Sequence, residues 1–116
     1  MDHQDLDAWK QAMQLVEEVY KVSSNFPNEE IYGLTSQVRR AAVSVPSNLS
    51  EGAGRNGDKE FINFLGISLG SLAEVETQLI IASRLGYADV SMLLPLVRRV
   101  RALIIALRRY LKRSVN

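Results

Sequence analysis

The chain has 116 residues and no cysteine, 47% of its residues are hydrophobic, and its net charge is +1. This length predicts a single domain over residues 1–116, and the absence of cysteine excludes disulfide frameworks and thiolate metal sites. The acidic N-terminus is unlike a secretory signal, and the longest uncharged run, residues 61–73, is shorter than the roughly 20 residues of a membrane span, so we expect a cytoplasmic protein that does not enter a membrane.

The first helix is predicted over about residues 5–24. Its large apolar residues recur at steps of three or four: Leu6, Trp9, Met13, Val16 and Tyr20. This spacing places them on one helical face, which we expect to meet the core. Phe26 and Pro27 follow, and the proline breaks the helix because it disfavours helical backbone in the residue before it.

The second helix is predicted over about residues 34–53, with a kink expected at Pro46 because proline removes a backbone hydrogen bond. Polar residues on its side and on the third helix are expected to form a structural seam that includes an arginine–carboxylate pair: Arg40, Ser44, Glu51, Glu74 and Gln78. The alternative is acid–base or metal chemistry at Glu51 and Glu74. It is disfavoured because the only histidine is His3, near the N-terminus.

The turn between the second and third helices reads Gly-Ala-Gly-Arg-Asn-Gly over residues 52–57, which fits the glycine pattern of dinucleotide-binding loops. That motif needs a preceding strand and a βαβ unit, and here a helix precedes it. We therefore predict a flexible interhelical turn. Arg55, close to the N-terminus of the third helix, could still hold a phosphate of a larger ligand.

The third helix is predicted over about residues 58–85. Its core stripe alternates steps of four and three residues: Phe61, Leu65, Ser68, Leu72, Val75, Leu79 and Ala82. A second stripe consists of small residues: Gly66, Gly70, Ala73 and Thr77. Small side chains of this kind allow another helix to approach closely.

The fourth helix is predicted over about residues 90–113, with Asp89 as its N-cap and Pro95 in a distorted or separate first turn. Its core stripe is Leu93, Val97, Val100, Ile104, Leu107 and Leu111. Additional apolar residues form a second stripe that predicts an interface between copies of the chain: Leu96, Leu103, Ile105 and Tyr110.

Charge is distributed unevenly along the chain. Residues 90–116 hold seven Lys or Arg and no acid, whereas residues 1–89 hold seven against thirteen acids. The basic residues of the fourth helix lie broadly opposite its core stripe and are our candidate nucleic-acid contacts, with Arg55 as a further one: Arg98, Arg99, Arg101, Arg108, Arg109, Lys112 and Arg113. Few aromatic residues accompany them, so structured RNA or DNA contacted through its backbone is favoured over base-specific recognition.

Five motifs resemble one protein family. They are Leu-Asp-Ala-Trp at 6–9, Phe-Pro at 26–27, QVRRAAVSVPSNLSEG at 37–52, Glu-Phe at 60–61 and Gly-Ser-Leu-Ala-Glu at 70–74. This chain resembles the 23S rRNA-intervening-sequence proteins, although Gly57 stands where members often carry a serine cap. The resemblance implies an all-α, antiparallel up-and-down four-helix bundle that assembles into a ring-shaped homo-oligomer, expected to be a pentamer. It implies no enzymatic activity.

Together these features predict a non-enzymatic homo-oligomer that binds structured nucleic acid through the basic face of the fourth helix. The alternative is a protein-interaction scaffold in which the arginines form a solvated face or meet acidic protein partners. We expect no catalytic residue, metal, cofactor or small-molecule substrate.

Overall fold

Residues 1–115 of the computed structural model form four α-helices: α1 (Asp7–Ser23), α2 (Leu34–Ala53), α3 (Asp58–Arg84) and α4 (Leu94–Ser114). Short 3-10 turns at His3–Asp5 and Asn28–Glu30 precede α1 and α2. These described residues contain no strand. The predicted all-α class with four helices is therefore confirmed.

The four helices surround one core. Each helix contacts the next one in the chain, and α1 also contacts α4. The largest fully buried side chains come from every helix, with Leu15, Leu49, Leu72 and Ile104 among them. Residues from four amphipathic helices thus share a single apolar interior, as in a helix bundle.

The buried face of α1 differs from the prediction. The residues that reach the core are Ala8, Ala12, Leu15, Val19 and Ser23. Met13 is 38% exposed and Tyr20 is 44% exposed, while the other members of the predicted stripe are half-buried. The prediction holds for Leu6, Trp9 and Val16, which pack against the core, and is wrong for Met13 and Tyr20. It followed the largest apolar side chains and overlooked two alanines that face the core.

The predicted core stripe of α3 is confirmed at every position, and that of α4 at every position except the half-buried Leu107. The predicted start of α4, at about residue 90, was wrong by about four residues. Asp89 accepts a hydrogen bond from the backbone of Ser91 at 3.0 Å, and the Leu93 amide donates to the Val90 carbonyl at 2.9 Å. Residues 90–93 therefore form a separate turn, and α4 begins at Leu94 with Pro95 in its first turn.

α2 continues as one helix through the buried Pro46. At its end Gly52 contacts α3 closely, since a Cβ built on it would lie 2.8 Å from Phe61 Cδ1 and 2.8 Å from Phe64 Cβ. A turn follows and ends at Gly57, whose φ of 133° favours glycine. The glycine pattern thus begins in the last turn of α2, and only residues 54–57 form the predicted turn between the two helices. No side chain caps the start of α3.

Candidate nucleic-acid interface

The basic residues of α4 fall into two groups by exposure. Arg101 and Arg108 are half-buried along the border with α3, and the other five are exposed: Arg98, Arg99, Arg109, Lys112 and Arg113. The helical spacing therefore separates a cationic border from a cationic outer face. The residues do not form one uniform patch.

Two of the seven bind side chains of neighbouring helices. Arg101 Nη2 lies 2.8 Å from Glu76 Oε1 of α3, an ion pair that was not predicted. Arg99 Nη1 donates to Gln11 Oε1 of α1 at 3.3 Å. The formal charge of Arg101 is thus balanced within the subunit, which removes it from the residues best placed to bind an external anion.

Arg108 is held in place without being neutralised. Its Nε donates to the Ile62 carbonyl of α3 at 3.3 Å. Its guanidinium lies over Gly66, where a built Cβ would be 3.3 Å from Nη2. One glycine of the small-residue stripe thus makes room for an arginine of the same subunit, and the guanidinium keeps further N–H groups for a ligand.

Three cations surround one hollow between α3 and α4. The hollow has a volume of about 140 Å³ and is lined by Leu69, Ile105, Arg108, Arg109 and Lys112. No carboxylate of residues 1–115 lines it. Arg108 supplies a fixed fork of donors and Lys112 a compact charge, a combination that suits a phosphate group.

Several cations of α4 lack an acidic partner. Within residues 1–115, no carboxylate lies within 4.0 Å of Arg98, Arg109, Lys112 or Arg113. Ser114, at the end of α4, hydrogen-bonds to Asp58 at the start of α3. The basic end of α4 therefore lies beside the turn that carries Arg55.

Arg55 itself is already engaged. Its Nη2 lies 2.8 Å from Glu51 Oε1, and its guanidinium stands over the ring of Phe64 at 5.1 Å from the centroid. Both side chains of the ion pair are about half exposed. Exposed pairs of this spacing contribute only a few tenths of a kcal/mol, so an external phosphate could still compete for Arg55.

The polar seam between α2 and α3 forms only in part. Arg40, Ser44, Glu74 and Gln78 line one hollow of about 280 Å³ together with Ser71. The expected arginine–carboxylate pair does not form among the described residues: Arg40 has no carboxylate within 4.0 Å, and Glu51 pairs with Arg55. Glu51 pairs with Arg55 because a partner four residues away needs no contact between helices.

Serine hydroxyls join α2 to α3 instead. Ser44 Oγ and Ser71 Oγ are 2.8 Å apart, and buried Ser68 Oγ donates to the Val45 carbonyl at 2.9 Å. Asn48 Nδ2 donates to Ser44 Oγ at 2.9 Å. Sequence reasoning missed Ser71 and Asn48 as seam residues, although the position of Ser68 within an otherwise apolar stripe signals a buried hydroxyl.

The residues predicted to join copies of the chain have different environments. Leu96 is only 8% exposed and belongs to the core of its own subunit, which corrects its place in an outward stripe. Leu103 and Ile105 are half-buried, and Tyr110 is 63% exposed. These four positions therefore do not form one continuous exposed surface.

A more extensive apolar surface lies on α3. Ile67 is 51% exposed, and it is joined on the outward side of the helix by the small-residue stripe and by Ile80 and Ile81. α3 is long and apolar enough to cross a membrane by length and composition alone, a property that core helices of water-soluble bundles share. Only 33% of its most apolar stretch is buried in one subunit, so much of this apolar surface faces outward. This outward surface of α3 was not predicted as an interface.

Residues 1–115 contain no cluster of three or more His, Asp or Glu side chains that could hold a metal ion.

A comparison with protein families gives a match. The model of the family described as 23S rRNA-intervening sequence protein matches residues 4–108. This chain belongs to that family. A comparison with curated proteins gives no match.

Membership in the 23S rRNA-intervening sequence protein family confirms the resemblance that the motifs indicated. The matched span ends at Arg108. Arg109, Lys112 and Arg113 therefore lie beyond the part of the chain that the family model describes.

Proposed function

We propose that this chain is a non-enzymatic, homo-oligomeric four-helix bundle that binds structured nucleic acid through the basic face of α4. The observation that carries the proposal is the hollow lined by Arg108, Arg109 and Lys112, on a helix that has no acid of its own. Arg98 and Arg113, which have no ion-pair partner among the described residues, add charge on the same helix. We also propose that the protein acts in the cytoplasm.

An antiparallel up-and-down arrangement of the helices is part of this proposal. Arg39, near the start of α2, contacts Tyr20 near the end of α1. Ser114, at the end of α4, contacts Asp58 at the start of α3. Contacts between the end of one helix and the start of its neighbour support opposite helix directions.

Backbone phosphates are the ligand that this surface fits best. Lys and Arg side chains that neutralise phosphates release condensed counterions, so affinity falls steeply with salt. Only one aromatic residue, Tyr110, accompanies the arginines on α4, and bases would find little to stack on. The ligand is therefore a structured RNA or a DNA duplex contacted without base recognition.

Self-association would multiply this surface. The outward side of α3, with exposed Ile67 and the small stripe at Gly70 and Ala73, supports contact between copies better than the predicted stripe on α4. A closed ring, with the pentamer that the family resemblance implies, would repeat the cationic hollow around its circumference. Repeated sites raise the apparent affinity for a long polyanion.

The test combines Arg98→Gln, Arg109→Gln and Lys112→Gln in one variant, since all three positions are exposed and have no acidic partner within residues 1–115. The control variant combines Lys10→Gln, Lys59→Gln and Arg84→Gln, which changes the net charge equally at exposed sites outside α4. Binding to a fluorescent RNA hairpin and a DNA duplex is measured by anisotropy at roughly 50 mM salt, where backbone-driven binding is strong.

We expect the α4 variant to bind at least about tenfold more weakly and to show a shallower salt dependence, because three phosphate contacts are lost. The control variant should bind like the natural protein. Equal weakening by both variants would show that net charge alone governs binding, and an absence of binding by the natural protein would refute the proposal.

A further inference from the structure

A second hollow lies away from α4, at the end of α1 and the first half of α2. Its volume is about 490 Å³. Arg39 and Arg40 both line it, and no carboxylate does. Two cations thus face a concave surface on α2, the helix that does not contact α4 among the described residues.

Arg39 is fixed in position by three contacts. Its Nε donates to Ser23 Oγ at 2.7 Å, and its Nη2 donates to the Tyr20 carbonyl at 3.3 Å. Its guanidinium also stands over the Tyr20 ring at 4.6 Å from the centroid. These contacts leave Nη1 without a partner within the described residues and hold the fork in place, which lowers the entropy cost of binding an anion.

Arg40 is exposed and has no carboxylate within 4.0 Å among residues 1–115. It lines both this hollow and the hollow of about 280 Å³ between α2 and α3. Arg40 therefore stands between the two hollows, which lie on either flank of α2.

The walls of the first hollow are partly apolar. Tyr20 is 44% exposed, Ile31 is 54% exposed and Val43 is 41% exposed, and all three line it. Guanidinium groups beside exposed apolar side chains fit a ligand that carries an acid and an apolar group close together.

The walls of the first hollow also favour a peptide over a nucleic acid. A phosphodiester backbone has no apolar side chain that could pack on Ile31 and Val43, whereas a peptide can place a carboxylate and an apolar side chain next to each other.

From these observations we infer that the groove formed by the first hollow, between α1 and α2, docks an acidic and apolar peptide segment of a partner protein. The peptide carboxylate binds Arg39 and Arg40, and its apolar side chain packs on Ile31 and Val43. This site is separate from the nucleic-acid surface proposed on α4, and neither depends on the other.

The test uses the full chain and a fluorescein-labelled octapeptide in which glutamate alternates with leucine. Two control peptides replace every glutamate by glutamine or every leucine by serine. The protein variants are Arg40→Gln, Val43→Ala and the control Arg98→Gln, all at exposed positions. Affinity is measured by anisotropy, and the mass of every variant by light scattering.

We expect the glutamate–leucine peptide to bind and both control peptides to bind at least about tenfold more weakly, because each lacks one half of the required chemistry. Arg40→Gln should weaken binding at least about tenfold, the usual effect of losing a hydrogen bond to a charged group. Val43→Ala should weaken it less, and Arg98→Gln should have no effect.

Four results would overturn the inference. They are no peptide binding at millimolar concentration, equal binding of the glutamate and glutamine peptides, an equal loss on Arg98→Gln, and a lower oligomer mass on Arg40→Gln. The last result would show that the groove is covered by another copy of the chain.

Discussion

Arg101 Nη2 and Glu76 Oε1 lie 2.8 Å apart and join α4 to α3. Their side chains are 33% and 29% exposed, so the pair is partly shielded from water. It shows that an arginine in an acid-free segment can be neutralised by a helix that is adjacent in space. Arg101 therefore has a structural role, unlike Arg98 and Lys112, which have no acidic partner in the part of the chain that the structure describes.

Arg101→Gln should reduce stability and leave nucleic-acid binding nearly unchanged. Since the pair is about one-third exposed and screened by water, its loss should lower the free energy of unfolding by roughly 0.5–1 kcal/mol. Urea unfolding measures the first effect and hairpin anisotropy the second.

Glu76→Gln and the double variant complete a thermodynamic cycle with Arg101→Gln. We expect a coupling energy of the same sign and size, since the two side chains contact each other directly. A coupling near zero would show that the ion pair contributes nothing to stability. A large loss of hairpin affinity on Arg101→Gln would return this residue to the binding surface.

Gly52→Ala should destabilise the bundle by roughly 1–3 kcal/mol. The added Cβ would lie 2.8 Å from both Phe61 Cδ1 and Phe64 Cβ, and the buried Phe61 has little room to move. Gly54→Ala is the matched control, because Gly54 has helical φ and a Cβ there would meet only ordinary contacts at 3.6 Å or more. Chemical denaturation that ranks the two variants equally would contradict the close approach of α2 and α3.

The sequence predicts some elements well and others poorly, for identifiable reasons. The stripes of α3 and α4 are read correctly because their large side chains lie on the buried side. The stripe of α1 is misread because Ala8 and Ala12 face the core, and a helical wheel cannot tell a small residue at a close contact from a neutral surface residue.

The candidate site shows the same limit for polar residues. A local partner such as Glu51 for Arg55 follows from i, i+4 spacing, whereas the pairing of Arg101 with Glu76 depends on how two helices are placed. The basic character of α4 can be read from its residues. Which arginines stay available to a ligand requires the structure of the neighbouring helices.

Asp89 should make the stability of the turn before α4 depend on pH. Two hydrogen bonds from Ser91 lower the pKa of Asp89 from the usual 3.8. The bond from the backbone N–H has the larger effect on this pKa, and the bond from the Ser91 side chain has the smaller one. Because the folded-state pKa is lowered, the stabilisation is present above pH 3.8 and is lost as pH falls through the lowered value.

Urea unfolding of the natural protein and of Asp89→Asn measures this effect between neutral and acidic pH. We expect the advantage of the natural protein over the variant to shrink as pH falls below about 4. Ser91→Ala keeps the backbone donor and should retain most of the pH dependence. A constant difference between natural protein and Asp89→Asn at all pH values would contradict the assignment.

Ile67→Glu should separate copies of the chain if the outward surface of α3 joins them. Ile67 is 51% exposed in one subunit, so a charge there costs the isolated fold little, whereas burying that charge unpaired between subunits would be strongly unfavourable.

Met92→Glu is the matched control, because Met92 is 84% exposed in the turn before α4. Light scattering should show a smaller mass for Ile67→Glu alone, with unchanged helical circular dichroism for both variants. If Tyr110→Glu separated the copies and Ile67→Glu did not, the interface would lie on α4, and the cationic hollow beside it would be closed to a long polyanion.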